Sequence, residues 1–186
     1  MRIISGFFKG KKIIEPKDNK TRPLKDLTKE SIFNIINHTN KFSINLNNSY
    51  VLDLFSGVGS FGIECLSRSA KEVIFVENYA GVLPMLKKNL GELKSLNNYK
   101  IIEKNIYDEN IFSVINQKFD LIFLDPPYKD KNFVNILVDI KNKKILNKNG
   151  VIIVHRHKNE KDVLPFNFKI IEEKKYGISK ILFITI

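Results

Sequence analysis

The stretch Val51-Leu-Asp-Leu-Phe-Ser-Gly-Val-Gly-Ser-Phe-Gly62 decides the fold of this chain. It begins as a short apolar run, typical of a strand buried on both faces. It ends in spaced glycines, which permit a tight turn and close backbone approach where a helix begins. Such a strand–loop–helix corner presents unpaired backbone N–H groups at the carboxyl edge of a parallel sheet. The sequence therefore predicts a ligand-binding corner here.

The residues around these glycines bear on which ligand binds. The spacing Gly57-x-Gly59-x-x-Gly62 fits the dinucleotide fingerprint, and Glu77 follows Gly57 by 20 residues. Both dinucleotides and other nucleoside cofactors use such an acid to bind ribose hydroxyls. Asp53 distinguishes better between dinucleotides and other nucleoside cofactors. A carboxylate at the mouth of the strand suits a cofactor with a cationic end and does not suit a pyrophosphate. These residues favour S-adenosylmethionine, which carries an ammonium and a sulfonium, over a dinucleotide, and a purely structural glycine turn is the third alternative.

The rest of the chain alternates between strand and helix patterns. This alternation predicts a parallel sheet with helices on both faces. The last two strand patterns are separated only by Tyr176-Gly177, so we expect them to close the sheet as an antiparallel hairpin. The predicted strands follow the first one at 72–77, 100–103, 119–124, 151–156, 168–174 and 178–186, and the predicted helices are 26–37, 61–69, 82–94, 110–116 and 133–142.

A second motif, Asp125-Pro126-Pro127-Tyr128, follows the apolar strand 119–124 directly. Two prolines cannot continue a central strand, so the chain turns out at the carboxyl edge, beside the glycine corner. A carboxylate, a stiff backbone with unpaired carbonyls and an aromatic face then meet in one pocket. Methylation of an exocyclic base amine needs such groups, with acceptors for the amine N–H groups and a ring that stacks on an unpaired base.

Composition and charge limit the classes of function that the chain can have. The 186 residues carry a net charge of +11, which suits a polyanionic partner, although an AT-rich coding sequence would also raise the lysine count. With no membrane-spanning run and no secretory leader, we expect a cytoplasmic protein. The single cysteine, Cys65, excludes an internal disulfide and is expected to be buried. The three histidines are too isolated to indicate a metal site. We expect a monomer.

The first 49 residues hold ten lysines and arginines against four acidic residues. Residues 2–15 are typical of a hairpin, with Lys9, Lys11 and Lys12 near its turn beside Phe7 and Phe8. Charges for phosphates and aromatic rings for bases indicate a nucleic-acid contact, whereas a hairpin packed on the domain is the alternative. In the helix that follows, Leu27, Ile32, Phe33, Ile35 and Ile36 predict one broad apolar face. We expect two parts, an extension (1–49) that contacts RNA and a catalytic domain (50–186).

The paired motifs Asp-x-Phe-Ser-Gly-x-Gly and Asp-Pro-Pro-Tyr resemble those of class I S-adenosylmethionine-dependent amino-methyltransferases. The N-terminal residues Arg2-Ile-Ile-x-Gly6, Lys9-Gly10, Arg22-Pro23 and Glu30-x-Ile-Phe-Asn34 resemble the RsmD family, the 16S rRNA (guanine(966)-N(2))-methyltransferases. The resemblance covers nearly the whole chain. It implies a Rossmann-like, mostly parallel, seven-stranded α/β sheet that ends in an antiparallel hairpin.

The resemblance also implies roles for individual residues. Asp125, Pro126, Pro127 and Tyr128 would hold the target guanine. The RNA-binding residues would be Arg2, Lys9, Lys11, Lys12 and Arg22, and the partner would be 16S rRNA or the small ribosomal subunit. S-adenosylmethionine would be held by Asp53, Phe55, Ser56, Gly57, Gly59, Glu77, Asn78, Asn105 and Ile106.

One stretch departs from the family pattern. The family usually carries Glu where this chain has His155 or His157, in Val154-His-Arg-His-Lys158, and we expect an exposed loop there rather than an RNA phosphate contact. Three other functions stay open. A DNA or other RNA amino-methyltransferase, acting on adenine N6 or cytosine N4, shares both motifs. A nicotinamide oxidoreductase is disfavoured by Asp53, and a non-catalytic RNA-binding module is disfavoured by the intact acidic residues.

Overall fold

The computed structural model describes residues 1–16, 24–94 and 96–186. Most of the predicted elements are present within two residues of their expected ends. The predicted helix 110–116 is reduced to one turn, and the fifth strand begins five residues earlier than expected. The strands are β1 (Tyr50–Leu54), β2 (Glu72–Val76), β3 (Tyr99–Ile102), β4 (Phe119–Leu124), β5 (Leu146–His157), β6 (Lys169–Tyr176) and β7 (Ser179–Thr185), and the helices are α1 (Asp26–His38), α2 (Ser60–Ser67), α3 (Leu83–Gly91), α4 (Ile111–Val114) and α5 (Phe133–Asn142).

The strands form one seven-stranded sheet in the order β3-β2-β1-β4-β5-β7-β6. The first five strands are parallel, while β7 runs antiparallel between β5 and β6. The chain order reverses direction at β1, where β2 and β4 lie on opposite sides of the first strand. Ligands bind at such a switch point, outside the carboxyl ends of the strands. The predicted parallel sheet with a terminal antiparallel hairpin is confirmed.

Both faces of the sheet are covered by helices, which explains why its strands are apolar on both sides. Val51 and Phe75 face the side that packs against α1, α2 and α3. Leu52 and Leu54 face the side that packs against α4 and α5. Cys65 is buried in the first of these cores, as expected. Within the described part of the chain, no helix combines the length and apolarity that a membrane crossing requires.

Leu27 is a correction to the predicted apolar face of α1. It is 78% exposed, whereas Ile32, Phe33 and Ile36 are buried. Since each helical residue turns the chain by about 100°, Leu27 lies roughly 140° around the helix from Ile32 and cannot share its face.

The N-terminal residues form a looser hairpin than predicted. Their ladder contains one bridge, between Arg2 and Lys12, and Ile3 N–H donates to the Lys11 carbonyl at 2.9 Å. Ile3 and Ile13 are buried in the core beside α1 and α2. At the hairpin turn, Phe7 N–H donates to the Ser67 carbonyl at 2.7 Å, at the carboxyl end of α2. The extension therefore shares the core of the domain behind it.

A buried ion pair ties this extension to the domain. Lys29 Nζ donates to the Arg2 carbonyl at 2.7 Å and lies 3.8 Å from Glu64 Oε2. Glu64 also accepts the N–H groups of Ile4 and Ser5 at 2.7 and 2.9 Å. Burial lowers the pKa of Lys29, although the charges of Glu64 and Asp26 oppose that shift. Glu64 also pairs with Arg68 at 2.9 Å, so it is loss of Glu64 that would leave the buried Lys29 poorly compensated, with Asp26 at 3.8 Å. Glu64 therefore fixes the docking of the hairpin.

Candidate active site

A cavity of about 640 Å³ opens at the carboxyl ends of β1, β2 and β4. This size is within the usual range for small-molecule sites. Of the residues implied by the family resemblance, the cavity brings together all four of the Asp-Pro-Pro-Tyr motif and most of the predicted cofactor residues. Its lining is formed by Pro16, Leu24, Asp53, Phe55, Ser56, Gly57, Val58, Ser60, Phe61, Glu77, Asn78, Tyr79, Asn105, Tyr107, Phe123, Asp125, Pro126, Pro127, Tyr128 and Asp130.

The glycine loop takes the compact turn expected from its sequence. Phe55 and Gly57 have φ angles of 58° and 55°, and Gly59, which precedes α2, has a φ of 84°. Gly62 is required for a different reason, because a Cβ there would lie 2.3 Å from Phe75 Cε1 on β2. The loop is also braced internally, since the Ser56 hydroxyl lies 2.6 Å from the Asp53 carbonyl oxygen. Ser56 thus supports the predicted cofactor loop from within.

Three carboxylates stand side by side on neighbouring strands. Asp53 pairs in register with Phe75 on β2 and Phe123 on β4. Glu77 and Asp125 each follow those partners by two residues, so all three acids project from the same face of the sheet. Asp130 adds a fourth carboxylate, and the described lining contains no lysine or arginine. A cavity of this charge in a protein of net charge +11 suits a cationic ligand.

Asp53 is the most deeply buried of these acids, at 1% exposure. Its Oδ2 accepts the Gly62 N–H at 2.9 Å. Burial raises the pKa of Asp53 well above its usual value, and the charges of Asp125 and Glu77 raise it further, against the opposing effect of the Gly62 hydrogen bond. A bound cation would relieve this repulsion and favour the ionised form.

Glu77 braces the glycine loop in this structure. Its carboxylate accepts the Gly57 N–H at 2.7 Å, the Asn78 N–H at 2.9 Å and the Tyr79 N–H at 2.8 Å. A carboxylate has about four lone-pair sites, so these bonds leave capacity for one more donor. The predicted hydrogen bond from a ribose hydroxyl to Glu77 stays a prediction.

The loop after β3 contributes a wall that the sequence did not reveal. Asn105 lines the cavity as expected, whereas the Ile106 side chain is buried among core residues on the other face and Tyr107 lines the cavity instead. The Tyr107 hydroxyl donates to Asp130, and its ring centroid lies 6.0 Å from that of Phe55. Burial and the bond to Asp130 raise the pKa of Tyr107. This wall therefore links the predicted adenine side to the Asp-Pro-Pro-Tyr loop.

The Asp-Pro-Pro-Tyr loop leaves the sheet directly after β4 and is held from behind. Arg156 Nη1 donates to the Pro127 carbonyl at 3.0 Å. Arg156 is fully buried, where it contacts Asp162 at 3.0 Å and lies over the Phe133 ring at 4.5 Å. The Tyr128 hydroxyl lies 3.0 Å from Ser179 Oγ. Together these contacts fix the loop backbone and the Tyr128 ring.

The expectation of an exposed loop at 154–158 is wrong. β5 continues to His157, because it pairs with β7 as far as the His157 and Ser179 partners. His155 is 2% exposed, and its Nδ1 lies 2.8 Å from Asp125 Oδ1. His157 is half-buried, with its ring centroid 4.9 Å from that of Tyr128. Flanking charges made this segment look like a loop, but the added antiparallel strand buries it.

The four predicted RNA-binding residues that the structure describes, Arg2, Lys9, Lys11 and Lys12, do not line the cavity. Lys9 and Lys12 are exposed, and Lys11 Nζ donates to the Glu92 carbonyl just beyond α3. The hairpin turn contacts the carboxyl end of α2, an eight-residue helix whose amino end is at the cavity. At 1.5 Å per residue, the turn is about 12 Å from the cavity along this axis. The Arg2 side chain is 72% exposed near Asp26, and Arg22 lies outside the described residues.

Within residues 1–16, 24–94 and 96–186, no three His, Cys, Asp or Glu side chains are grouped so that they could hold a metal ion.

Comparisons with known proteins show what the whole chain is similar to. A family model described as conserved hypothetical protein 95 matches residues 1–185. Ribosomal RNA small subunit methyltransferase D of Haemophilus influenzae is 33% identical over 179 residues, which cover 96% of this chain and 90% of that protein. The Escherichia coli protein of the same name is 28% identical over 183 residues, which cover 95% of this chain and 85% of that protein.

Two solved structures are similar over almost the whole chain. One from Escherichia coli, provisionally described as a methyltransferase, has a TM-score of 0.78 and 26% identity, with coverage of 99% of this chain and 96% of that one. One from Haemophilus influenzae, provisionally described as a methylase, has a TM-score of 0.75 and 31% identity, with coverage of 98% and 96%.

Proposed function

The chain belongs to the RsmD family of methyltransferases, the family described as conserved hypothetical protein 95, and on this premise we propose its reaction. We propose that it transfers a methyl group from S-adenosylmethionine to the exocyclic N2 amine of a guanine in small-subunit ribosomal RNA. The position equivalent to guanine 966 is the proposed target. Support comes from the names of its relatives and from the residues of the cavity.

The charge of the cavity is the observation that carries the cofactor assignment. Four carboxylates line it, and the described lining has no basic side chain. A pyrophosphate would be repelled by Asp53, whereas an ammonium and a sulfonium would be attracted. When bound, S-adenosylmethionine supplies an electrophilic methyl group. Asp53 and the glycine loop would hold its methionine end, Glu77 its ribose, and Asn78, Asn105 and the backbone at Ile106 its adenosine side.

The Asp-Pro-Pro-Tyr loop is proposed to bind and orient the target base. The lone pair of an exocyclic amine is delocalised into the ring, so the enzyme must hold its N–H groups and direct the lone pair toward the methyl group. Asp125 and the Pro126 carbonyl would accept those two N–H groups. Asp125 would then take the proton that nitrogen loses as the new N–C bond forms. Tyr128, which Ser179 and His157 hold in place, would stack on the base.

The RNA itself is proposed to contact two regions. The extension 1–49 carries Arg2, Lys9, Lys11, Lys12 and Arg22, which would bind phosphates. The hairpin lysines among them would do so away from the cavity. Three exposed lysines close to the Asp-Pro-Pro-Tyr loop, Lys129, Lys131 and Lys158, would bind the RNA strand that delivers the base. The target must be unpaired or flipped, because the amine is inaccessible within a stacked helix.

The test is methyl transfer from labelled S-adenosylmethionine to unmodified small ribosomal subunits and to their free RNA, with mass identification of the modified nucleoside after nuclease digestion. We expect N2-methylguanosine at one site. Because the loop chemistry suits any exocyclic amine, N6-methyladenine or N4-methylcytosine would replace the guanine assignment and keep the reaction class. Cofactor binding without transfer to either substrate would refute ribosomal RNA as the acceptor.

A further inference from the structure

His155 contacts the residue that is proposed to hold the methyl acceptor, and nothing in the amino-methyltransferase motifs includes it. Leu124 on β4 pairs with Val154 on β5, so Asp125 and His155 are the next residues on adjacent parallel strands. Their side chains project from the same face, where His155 Nδ1 lies 2.8 Å from Asp125 Oδ1. This distance is that of a good hydrogen bond.

The surroundings of the imidazole select one protonation form. Nε2 is buried, and among the described residues it has no hydrogen-bond partner. A proton on Nε2 would therefore be a buried donor with no acceptor among the described residues, a costlier arrangement than a bare ring nitrogen. With Nε2 bare, the imidazole proton lies on Nδ1 and is donated to Asp125.

The ring is also unable to move away. It is 2% exposed, and its centroid lies 6.0 Å from that of Tyr128 in an edge-on arrangement. On the other side, β5 pairs with β7 at His155 and Ile181. By contrast, the terminal torsion of an aspartate is soft, so its carboxylate plane is set by the bonds it makes. The His155 ring is fixed whereas the terminal torsion of Asp125 is soft, so His155 orients the Asp125 carboxylate.

We propose that His155 is a positioning residue, which donates its Nδ1–H to Oδ1 of Asp125 and so fixes the plane of the carboxylate that accepts the target amine. The proposal rests on the proposed function, because it assigns a purpose to the orientation of Asp125. His155 itself touches neither the base nor the cofactor. Its effect is therefore expected in the rate of methyl transfer and not in binding.

Two near-isosteric substitutions separate orientation from packing. The amide nitrogen of Asn can reach the place of imidazole Nδ1, whereas that of Gln reaches the place of Nε2. We expect His155→Asn to keep kcat within ~5-fold of wild type, and His155→Gln and His155→Ala to lose about 10- to 100-fold, as a misoriented catalytic group does. Cofactor Kd and the KM for RNA are expected to change less than about threefold in all three variants. Equal kcat values for Asn and Gln would reduce His155 to a space-filling residue.

A second measurement does not depend on activity. ¹⁵N NMR of histidine-labelled protein distinguishes the two neutral tautomers, and the His155 signal is identified by its loss in His155→Gln. We expect a proton on Nδ1, and a shift of that signal in Asp125→Ala. An Nδ1 without a proton would overturn the proposal. If the wild type methylates no RNA while the Nδ1 tautomer is present, the proposed function fails and the hydrogen bond stands.

Discussion

At the residue scale, Asp53 shows a conflict between stability and ligand binding. Burial and two neighbouring carboxylates raise its pKa, so the folded protein holds this proton to a higher pH than the unfolded chain. The stability that Asp53 contributes is therefore present below the ordinary aspartate pKa and is lost as the pH rises through the folded value. At pH values above its folded pKa, the ionised Asp53 side chain destabilises the protein, and the cofactor cation would offset that cost.

Asp53→Asn is therefore expected to stabilise the cofactor-free protein and weaken cofactor binding. The Asn carbonyl oxygen can still accept the Gly62 N–H that Asp53 accepts at 2.9 Å. We expect a gain of roughly 1 kcal/mol, or about 2–4 °C in Tm, that is larger at about pH 8 than at about pH 5. S-adenosylmethionine affinity should fall about tenfold or more. Thermal unfolding and calorimetric titration measure both, and an unchanged affinity would remove Asp53 from the cofactor site.

Asp125 is expected to affect turnover without controlling cofactor binding. Asp125→Ala removes the proposed acceptor of the amine N–H and should lower single-turnover methyl transfer by about 10²- to 10³-fold. Cofactor Kd should stay within a few-fold of wild type, because the remaining acids of the cavity are intact. Asp139→Ala, on the exposed surface of α5, is the matched control and should leave both quantities unchanged. An equal loss of cofactor binding in Asp125→Ala would show that its role lies with the cofactor.

At the element scale, the packing of α2 against β2 depends on Gly62. A Cβ at this position would lie 2.3 and 2.7 Å from Cε1 and Cζ of the Phe75 ring. Phe75 is fully buried, so the ring has no room to retreat. We expect Gly62→Ala to cost about 1–3 kcal/mol by overpacking and to weaken cofactor binding through the shifted loop.

Gly91→Ala is the matched control for this substitution. Gly91 ends α3, and a Cβ there would meet nothing within 4 Å. Replacing this helical glycine should be neutral or stabilising by up to about 1 kcal/mol. Denaturant unfolding compares the two variants, and similar midpoints would show that the helix tolerates the extra methyl group at Gly62.

At the level of secondary-structure elements, some features of the site could be predicted from the sequence and others could not. The Gly57 loop and the Asp125 loop could be placed together because both follow apolar strands, and parallel strands end at one edge of a sheet. The bond of Tyr107 to Asp130 joins two loops with no local pattern that signals their approach. The bond of His155 to Asp125 depends on the β4–β5 register. Long-range pairing of this kind leaves no periodicity in the chain.

At the scale of the whole molecule, basic charge is distributed over separate regions. The hairpin lysines Lys9, Lys11 and Lys12 lie toward the carboxyl ends of α2 and α3, away from the cavity. A second set, Lys129, Lys131 and Lys158, is exposed near the mouth. Lys129 and Lys131 flank the cavity residue Asp130, and Lys158 follows His157, whose ring contacts the cavity residue Tyr128. An RNA that contacted both sets would have to follow the side of the molecule from the mouth toward the hairpin. Each set of lysines would then contact a different part of the bound RNA.

Two triple variants, in which either the hairpin lysines or the mouth lysines are replaced by glutamine, distinguish the two RNA contacts. Both variants change the net charge by the same amount. Loss of three phosphate contacts should reduce the slope of log K against log salt by about 2–3 in either triple variant. For the hairpin variant, we expect a higher KM with kcat unchanged, because these lysines lie far from the reacting base. The mouth variant should also lose kcat, since its lysines are proposed to hold the strand that presents the base. An unchanged slope in the hairpin variant would assign Lys9, Lys11 and Lys12 to the solvated surface and confine the RNA contact to the mouth.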